Sequence, residues 1–418
     1  MEESLMKYAF INGIILDGTR NMKPRYHQAI LTYDDRIESI TDENSSSFQD
    51  YEVINLHGNY IMPGLINMSS SFGFDGKSRT SRLLSLPEFM KVNKIKKIYK
   101  KELLKQLYSG VTTVLSMGSY QNMDSVMNSY IDKELMDGPR VIAANQPIGF
   151  KESYLSDLCM MVSNDEEAGD AVSQAYINKN DVVSIMATDD IFHHHQMPGS
   201  LLSSIISEAH RLSLKTAVYA SNQEMMKTAL KCHADYLYMG ISPDVETIDL
   251  FKQSNTVLIS GLSPLINDYL LDADKTRLNK EDRHKAKTIL QGAISCLEAC
   301  MLEEIPVGIG SGIGFYVTHY DFWRELMHFK NFCHISNKFA LYCATYNNAK
   351  LLGLGSVTGS LSSGKYADMI VTRENPLDRL EALKDPVMTI SKGRVYKDII
   401  INKNIQIEKA LDRIIDKL

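Results

Sequence analysis

The sequence has little that would place it in a membrane or in an oxidising compartment. No run of apolar residues approaches the roughly 18 to 20 that a membrane-spanning helix needs. A strand-like pattern follows Glu2 and Glu3 directly, whereas a signal peptide would show a basic segment and then an apolar one. The six cysteines lack the C-x-x-C spacing of a zinc knuckle. We therefore expect a reduced, cytoplasmic protein that is not bound to a membrane.

An excess of basic charge is absent as well. The formal net charge is −6, which gives no electrostatic reason to expect a nucleic acid as partner. Lysines such as Lys94, Lys97 and Lys101 alternate with apolar residues, and we interpret them as the solvent-exposed face of a helix. The expected partner is an unidentified small molecule, and self-association into a homo-oligomer is left open.

Two kinds of pattern divide the 418 residues. Short strands with turn signals and no helices between them occupy both ends of the chain, for example Lys7 to Gly13 with its Asn-Gly turn and Ala367 to Thr372. An amphipathic helix is predicted over residues 403–418. We predict that residues 1–62 and 356–418 form one composite β-sandwich domain, and that residues 63–355 form a second domain.

Within residues 63–355, short apolar segments alternate with helical patterns, which is typical of a parallel sheet or barrel. Eight such segments are predicted as strands: 64–69, 111–117, 140–146, 181–188, 215–221, 236–240, 257–262 and 306–311. Eight strand–helix repeats over about 290 residues match the size of a (β/α)8 barrel. We therefore predict an α/β fold, a (β/α)8 TIM-like barrel plus a small β-sandwich built from both chain ends.

Several short motifs lie at the edges of these elements. They include Met62-Pro63-Gly64-Leu65-Ile66 before the first barrel strand, Gly110-Val111-Thr112-Thr113-Val114, and Gly364-Lys365-Tyr366-Ala367-Asp368. In their order and spacing they resemble the imidazolonepropionase-like and prolidase-like branch of the amidohydrolase superfamily. The resemblance covers nearly the whole chain. It implies a metal-dependent hydrolase of C–N bonds in non-peptide or dipeptide amides, which uses one or two divalent metals such as zinc.

The residues that match the family's metal ligands are of other types. The first-strand histidines fall on Ser69 and Ser71, and the strand-four lysine falls on Ser184. The remaining ligand positions fall on Tyr219, Met239 and Gly312, and a neighbouring pocket histidine falls on Ser221. Zinc favours imidazole, thiolate and carboxylate, so these residues would be poor ligands. We expect no metal cofactor, impaired catalysis, and a polar small-molecule pocket at these seven positions.

Other interpretations of the same sequence stay open. The loop after strand four contains Asp189, Asp190, His193, His194 and His195, which could form a rebuilt metal site in an active, divergent C–N hydrolase. His319 matches a substrate-contacting histidine of the family, or it caps a helix. The aromatic residues beyond the strand ends could instead fill the pocket: Phe72, Phe74, Phe192, Phe315 and Tyr316. A serine hydrolase is disfavoured because no strand is followed by a Gly-x-Ser-x-Gly elbow.

Overall fold

The fold is taken from a computed structural model. It describes residues 6–44, 47–73, 87–153, 158–189, 191–192, 195–272, 276, 278–312 and 317–415. These residues form two compact units. The first contains residues 1–67, 104–113 and 319–402, and the second contains residues 68–103, 114–318 and 403–418. Among the described residues, no helix combines the length and the apolar character needed to cross a membrane.

The first unit contains two sheets. One has the strand order β4-β3-β1-β5, with β1 Lys7–Ile11, β3 Gln28–Tyr33, β4 Arg36–Asp42 and β5 Glu52–Asn55. The other has the order β19-β18-β17-β6-β2, with β2 Ile14–Ile15, β6 Tyr60–Pro63, β17 Met369–Thr372, β18 Met388–Ser391 and β19 Arg394–Lys397. Strands from both chain ends thus pair within one sheet, and residues from both ends share one apolar core.

Parallel strands separated by helices make up the middle of the chain. A seven-stranded sheet has the order β11-β10-β12-β13-β14-β15-β16, with β10 Ile148–Phe150, β11 Met160–Val162, β12 Val182–Met186, β13 Lys215–Tyr219, β14 Tyr236–Tyr238, β15 Val257–Ser260 and β16 Val307–Ile309. A three-stranded sheet contains β7 Leu65–Ser70, β8 Val111–Ser116 and β9 Arg140–Ile142. The end of β7 meets the segment after β16, because the N–H of Gly312 donates to the carbonyl of Ser69 at 3.1 Å.

Helices follow most of these strands. They are α1 Glu88–Tyr108, α2 Met123–Asp132, α3 Asp165–Ile177, α4 Gly199–Arg211, α5 Gln223–Lys231, α6 Val245–Ser254, α7 Ser263–Leu270, α8 Lys280–Leu302, α9 Phe322–Cys333, α10 Asn337–Tyr342, α11 Asn348–Leu351 and α12 Ile405–Ile415. A π-helical segment, Cys343–Asn347, joins α10 to α11, and a 3₁₀ turn covers Leu380–Leu383. Side chains cap several of the N-termini, as Asn164 does for α3 by accepting from the N–H of Glu167 at 2.9 Å.

The α/β fold and all eight predicted barrel strands are confirmed, with ends that differ by a few residues. Local sequence patterns do not predict β10, β11 or α7. Strands of three residues, such as β10 and β11, are too short to show a periodicity. The division at residues 62 and 355 stays a prediction.

Candidate functional site

The carboxyl ends of the first and last barrel strands lie against each other. Besides the Gly312 N–H, the Ser311 hydroxyl donates to the Ser69 carbonyl, also at 3.1 Å. The two backbones approach so closely that a Cβ on Gly310 would lie 2.2 Å from the Ser69 nitrogen. Ser69 is fully buried, while the half-buried Ser71 donates from Oγ to the carbonyl of Gly118 at 2.5 Å. The fold thus brings Ser69 and Gly312 together, as the sequence predicts for strand ends that face one site.

Ser184 and Ser221 are held by hydrogen bonds to neighbouring loops. Ser184 is buried in β12, and its hydroxyl donates to the carbonyl of Met117 after β8 at 2.7 Å. Ser221 follows β13, and its hydroxyl is hydrogen-bonded to Thr188 Oγ1 at 2.9 Å. The N–H of Ser221 also donates to Thr188 Oγ1, at 3.0 Å. Both hydroxyls therefore help to connect adjacent strand ends.

An aromatic pair stands at the ends of β13 and β14. The rings of Tyr219 and Tyr238 are 5.7 Å apart between centroids, with 31° between their planes. Tyr219 is half-buried and Tyr238 is buried. The next residue, Met239, is also buried and has a φ of +67°, a backbone conformation that residues other than glycine adopt rarely.

The Tyr238 hydroxyl lies where a side chain on Gly312 would begin. A Cβ built on Gly312 would be 2.5 Å from Tyr238 Oη and 2.8 Å from Pro264 Cγ, and Gly312 itself has a φ of +75°. A Cβ on Gly261 would lie 2.7 Å from the same hydroxyl. An aspartate at position 312, where the family resemblance places a metal ligand, would therefore require Tyr238 and the backbone to move.

The loop after β12 folds back on itself. Thr188 and Gln196 form an antiparallel bridge, and the N–H of Asp189 donates to the carbonyl of His195 at 3.0 Å. The Asp189 carboxylate is fully buried. It accepts from Ser153 Oγ at 2.5 Å and lies 2.9 Å from His195 Nδ1. Two of the five loop residues predicted for a rebuilt site are therefore in contact, whereas Asp190, His193 and His194 lie outside the described residues.

The thiol of Cys159 and the imidazole of His319 both have shifted pKa values. Burial and, to a smaller extent, the charge of Asp189 raise the pKa of the Cys159 thiol to about 12. Burial lowers the pKa of His319 to about 3, and nearby Lys105 contributes in the same direction. His319 is therefore neutral near pH 7, and its contact with a substrate stays a prediction. Within the described part of the chain, no group of three or more His, Cys, Asp and Glu side chains could hold a metal ion.

Two of the five aromatic residues beyond the strand ends, Phe72 and Phe192, are described. The Phe72 ring lies 5.0 Å from that of Tyr99 in α1, so it packs on a helix. Phe192 is half-buried, and Phe74, Phe315 and Tyr316 lie outside the described residues. Tyr238 was not predicted as a site residue, although it directly precedes Met239. Its position at the end of a barrel strand was the signal that could have identified it.

Comparison with known families and structures agrees with this architecture. The model of the amidohydrolase family matches residues 60–396, about four fifths of the chain. The chain belongs to the amidohydrolase family. Its fold is similar to that of a candidate prolidase from Bifidobacterium longum, with a TM-score of 0.87 and 25% sequence identity over 98% of this chain and 99% of that one. No curated protein matches the sequence.

Two further solved structures share the fold at lower identity. One is a Xaa-Pro dipeptidase with methionine bound in its active site, with a TM-score of 0.80 and 22% identity over 94% of this chain and all of that one. The other is an ochratoxinase from A. niger, with a TM-score of 0.77 and 17% identity over 94% and 96% of the two chains. The predicted resemblance to prolidase-like amidohydrolases is thereby confirmed.

Proposed function

We propose that this amidohydrolase-family protein is impaired in metal-dependent C–N hydrolysis and binds a small molecule at the ends of its barrel strands. The observation that carries the proposal is the packing of Tyr238 Oη against Gly312, 2.5 Å from where a Cβ would lie. This contact leaves no room for a carboxylate at the strand-eight ligand position unless the protein rearranges.

The residue types at the other matching positions support the same conclusion. Two divalent cations need anionic or imidazole ligands, and a catalytic zinc commonly has three protein ligands. Ser69, Ser184 and Met239 supply none of these groups. Both serines are buried: the Ser184 hydroxyl donates to the carbonyl of Met117, and the Ser69 carbonyl accepts from Ser311. The residues at these positions therefore do not fit a resident metal.

The groups that remain favour a neutral ligand. Tyr219 offers part of an aromatic ring for stacking, and Ser71 and Ser221 are half-buried hydroxyls. A few polar groups on an apolar wall suit an uncharged molecule that forms hydrogen bonds. The structural neighbours include a dipeptidase with a bound amino acid. We therefore propose an amide or another neutral amino acid derivative as the ligand class, for a protein that works in the cytoplasm without a metal.

Metal content and hydrolysis test the catalytic half of the proposal. The protein is purified from medium that contains zinc and manganese, its metal content is measured by mass spectrometry, and it is assayed with Xaa-Pro dipeptides and N-acyl amino acids. We expect less than stoichiometric metal and no hydrolysis above the buffer control. One bound metal per chain, together with hydrolysis that a chelator abolishes, would overturn the proposal.

Binding is tested separately with a panel of neutral amides, for example N-acetylproline methylamide, by thermal shift and calorimetry. We expect at least one compound to stabilise the protein, and Tyr219→Ala to remove that effect because it removes the partly exposed ring. The matched control is Tyr176→Ala, since Tyr176 is 57% exposed at the end of α3. The binding role would be contradicted if no compound in the panel stabilised the protein, or if Tyr219→Ala and Tyr176→Ala lost the stabilisation by the compound equally.

A further inference from the structure

A buried carboxylate fixes the orientation of an exposed histidine in the second unit. Asp189 Oδ2 lies 2.9 Å from His195 Nδ1, and the Asp189 side chain is fully buried, while 61% of the His195 side chain is exposed. The other carboxylate oxygen accepts from Ser153 Oγ at 2.5 Å, and Ser153 is itself buried. Asp189 is thus held from one side by Ser153 and faces His195 on the other.

This contact determines which imidazole nitrogen carries the proton. An ionised carboxylate only accepts hydrogen bonds, so His195 Nδ1 must carry the hydrogen that joins the two groups. In the neutral ring, Nε2 then keeps its lone pair and can take up a proton. The antiparallel bridge between Thr188 and Gln196 and the Asp189 N–H to His195 carbonyl bond hold the loop in this arrangement.

The pair belongs to the carboxyl ends of the parallel strands. Asp189 follows β12, and its carbonyl accepts from the Ser221 hydroxyl, which follows β13, at 3.4 Å. Strand ends of this kind are where loops in parallel α/β folds place reacting groups. A histidine with an oriented ring and a largely exposed side chain is a suitable general base for water.

We propose that His195 is a metal-independent general base for the hydrolysis of carboxylic esters with good leaving groups, and that Asp189 is its positioning residue. His195 Nε2 removes a proton from water as the hydroxyl oxygen bonds to the ester carbonyl carbon. The tetrahedral intermediate collapses, the bond from carbon to the leaving oxygen breaks, and the imidazolium returns its proton to that oxygen. The products are a carboxylic acid and an alcohol or phenol, and the imidazole is regenerated.

This activity goes beyond the proposed function, because it needs neither a metal nor the ligand site at Tyr219. The probe is p-nitrophenyl acetate with the full-length protein, and the variants are His195→Asn and Asp189→Asn. A positioned general base contributes about 100-fold or more to a reaction rate. The other ten histidines react with the ester as ordinary imidazoles and give a background rate. The rate of ester hydrolysis should nevertheless drop more than about fivefold in His195→Asn. Asp189→Asn should lower the rate similarly, because an amide can donate to Nδ1 and thereby favour the wrong tautomer.

The chain contains a matched control pair. His210 Nε2 lies 3.0 Å from Asp235 Oδ2, so this pair also joins an imidazole to a carboxylate. His210 differs from His195 because it belongs to helix α4 and faces its carboxylate with Nε2 rather than with Nδ1. His210→Asn should leave the rate of ester hydrolysis unchanged. Nitrogen NMR of the imidazoles reports the tautomer directly: His195 should carry its hydrogen on Nδ1 in the wild type and on Nε2 in Asp189→Asn, while an unchanged His210 signal in that variant shows that the fold is intact.

Three outcomes would overturn the assignment. The first is a His195→Asn rate equal to that of the wild type, and the second is an equal loss with His210→Asn. The third is a rate that a chelator abolishes, because the loop would then act through a metal. A protein that hydrolyses the ester through His195 but binds none of the neutral amides would support this inference and contradict only the binding role proposed above.

Discussion

Any side chain at position 312 would have to share its space with Tyr238. The tyrosine hydroxyl is 2.5 Å from the Cβ position, and the φ of +75° favours glycine in any case. Both effects act against an aspartate at this position, and they are independent of each other. Their separate sizes can be measured, because the chain contains a second glycine with nearly the same backbone conformation and open space around it.

Gly312→Ala should therefore destabilise the protein more than Gly353→Ala. Gly353 has a φ of +77° and no atom within 4 Å of a built Cβ, so its substitution reports the left-handed backbone alone, about 1 to 2 kcal/mol. Gly312→Ala adds the overlap with Tyr238 and Pro264, which should lower the free energy of unfolding by about 1 to 3 kcal/mol more. Urea denaturation of the two variants gives the difference.

Tyr238→Phe in the Gly312→Ala background supplies the internal control. Removing the hydroxyl should recover part of the overlap cost and none of the backbone cost. Equal losses for Gly312→Ala and Gly353→Ala would show that Tyr238 does not restrict position 312.

The residue types at the site were readable from the sequence, but the contacts between them were not. The serines at 69, 71 and 184 follow from matching motifs on the first and fourth barrel strands. The contact of Tyr238 with Gly312 joins strand ends that are distant in sequence, and no local periodicity encodes it. The same holds for Asp189 and Ser153, which come from loops after different strands.

At the scale of elements, a buried carboxylate connects two helices and a strand end. Asp124, in the first turn of α2, accepts a hydrogen bond from the Tyr99 hydroxyl of α1. Its second oxygen accepts from the N–H of Ala144 at 3.2 Å and of Asn145 at 2.7 Å, just after β9. Burial raises the pKa of Asp124 to about 7, although the two backbone donors act in the opposite direction.

Asp124 should make the protein less stable as the pH rises. Its carboxyl holds a proton more tightly in the folded state than in the unfolded chain, where the pKa is near 3.8. The resulting stabilisation is fully present below that value and is lost as the pH rises through about 7. Asp124→Asn cannot titrate. The free energy of unfolding of the wild type, relative to this variant, should therefore decrease as the pH rises from about 3.8 to about 7.

Urea denaturation of both proteins across this pH range checks the prediction. Asp170→Asn, which changes an exposed carboxylate on α3, controls for the general effect of net charge and should show no such trend. A difference between wild type and Asp124→Asn that stays constant with pH would contradict the assigned role.

Element prediction succeeded where burial or capping leaves a local pattern. The central strands are continuous apolar runs because both faces are covered, as in Val257–Ser260, and long helices such as Lys280–Leu302 carry a cap at Asn279. The short strand β10, with glycine between two apolar residues, forms only because neighbouring strands pair with it on both sides. Such pairing is a tertiary effect, which local sequence patterns do not contain.

At the scale of the whole molecule, the two ends of the chain complete one sheet. Strand β17 pairs antiparallel with β6 and places Val371 directly opposite Ile61. Both residues are buried in one apolar core, which also contains Phe10, Leu361 and Ile390. The N-terminal strands thus bury their apolar face only when the segment after the barrel has returned to them.

Ile61→Ala and Val371→Ala should therefore be coupled in their effects on stability. Each substitution removes methyl groups from the same core, so the second should cost less once the first has loosened the packing around it. For residues in contact, the difference between the double variant and the sum of the singles is on the order of 0.5 to 3 kcal/mol. Ile61→Ala combined with Leu230→Ala is the control, because Leu230 is buried in α5 and does not belong to this core, and sites without shared packing neighbours add to within about 0.5 kcal/mol. Equal additivity in the two cycles, measured by urea denaturation, would show that the paired ends of the chain do not stabilise each other through this core.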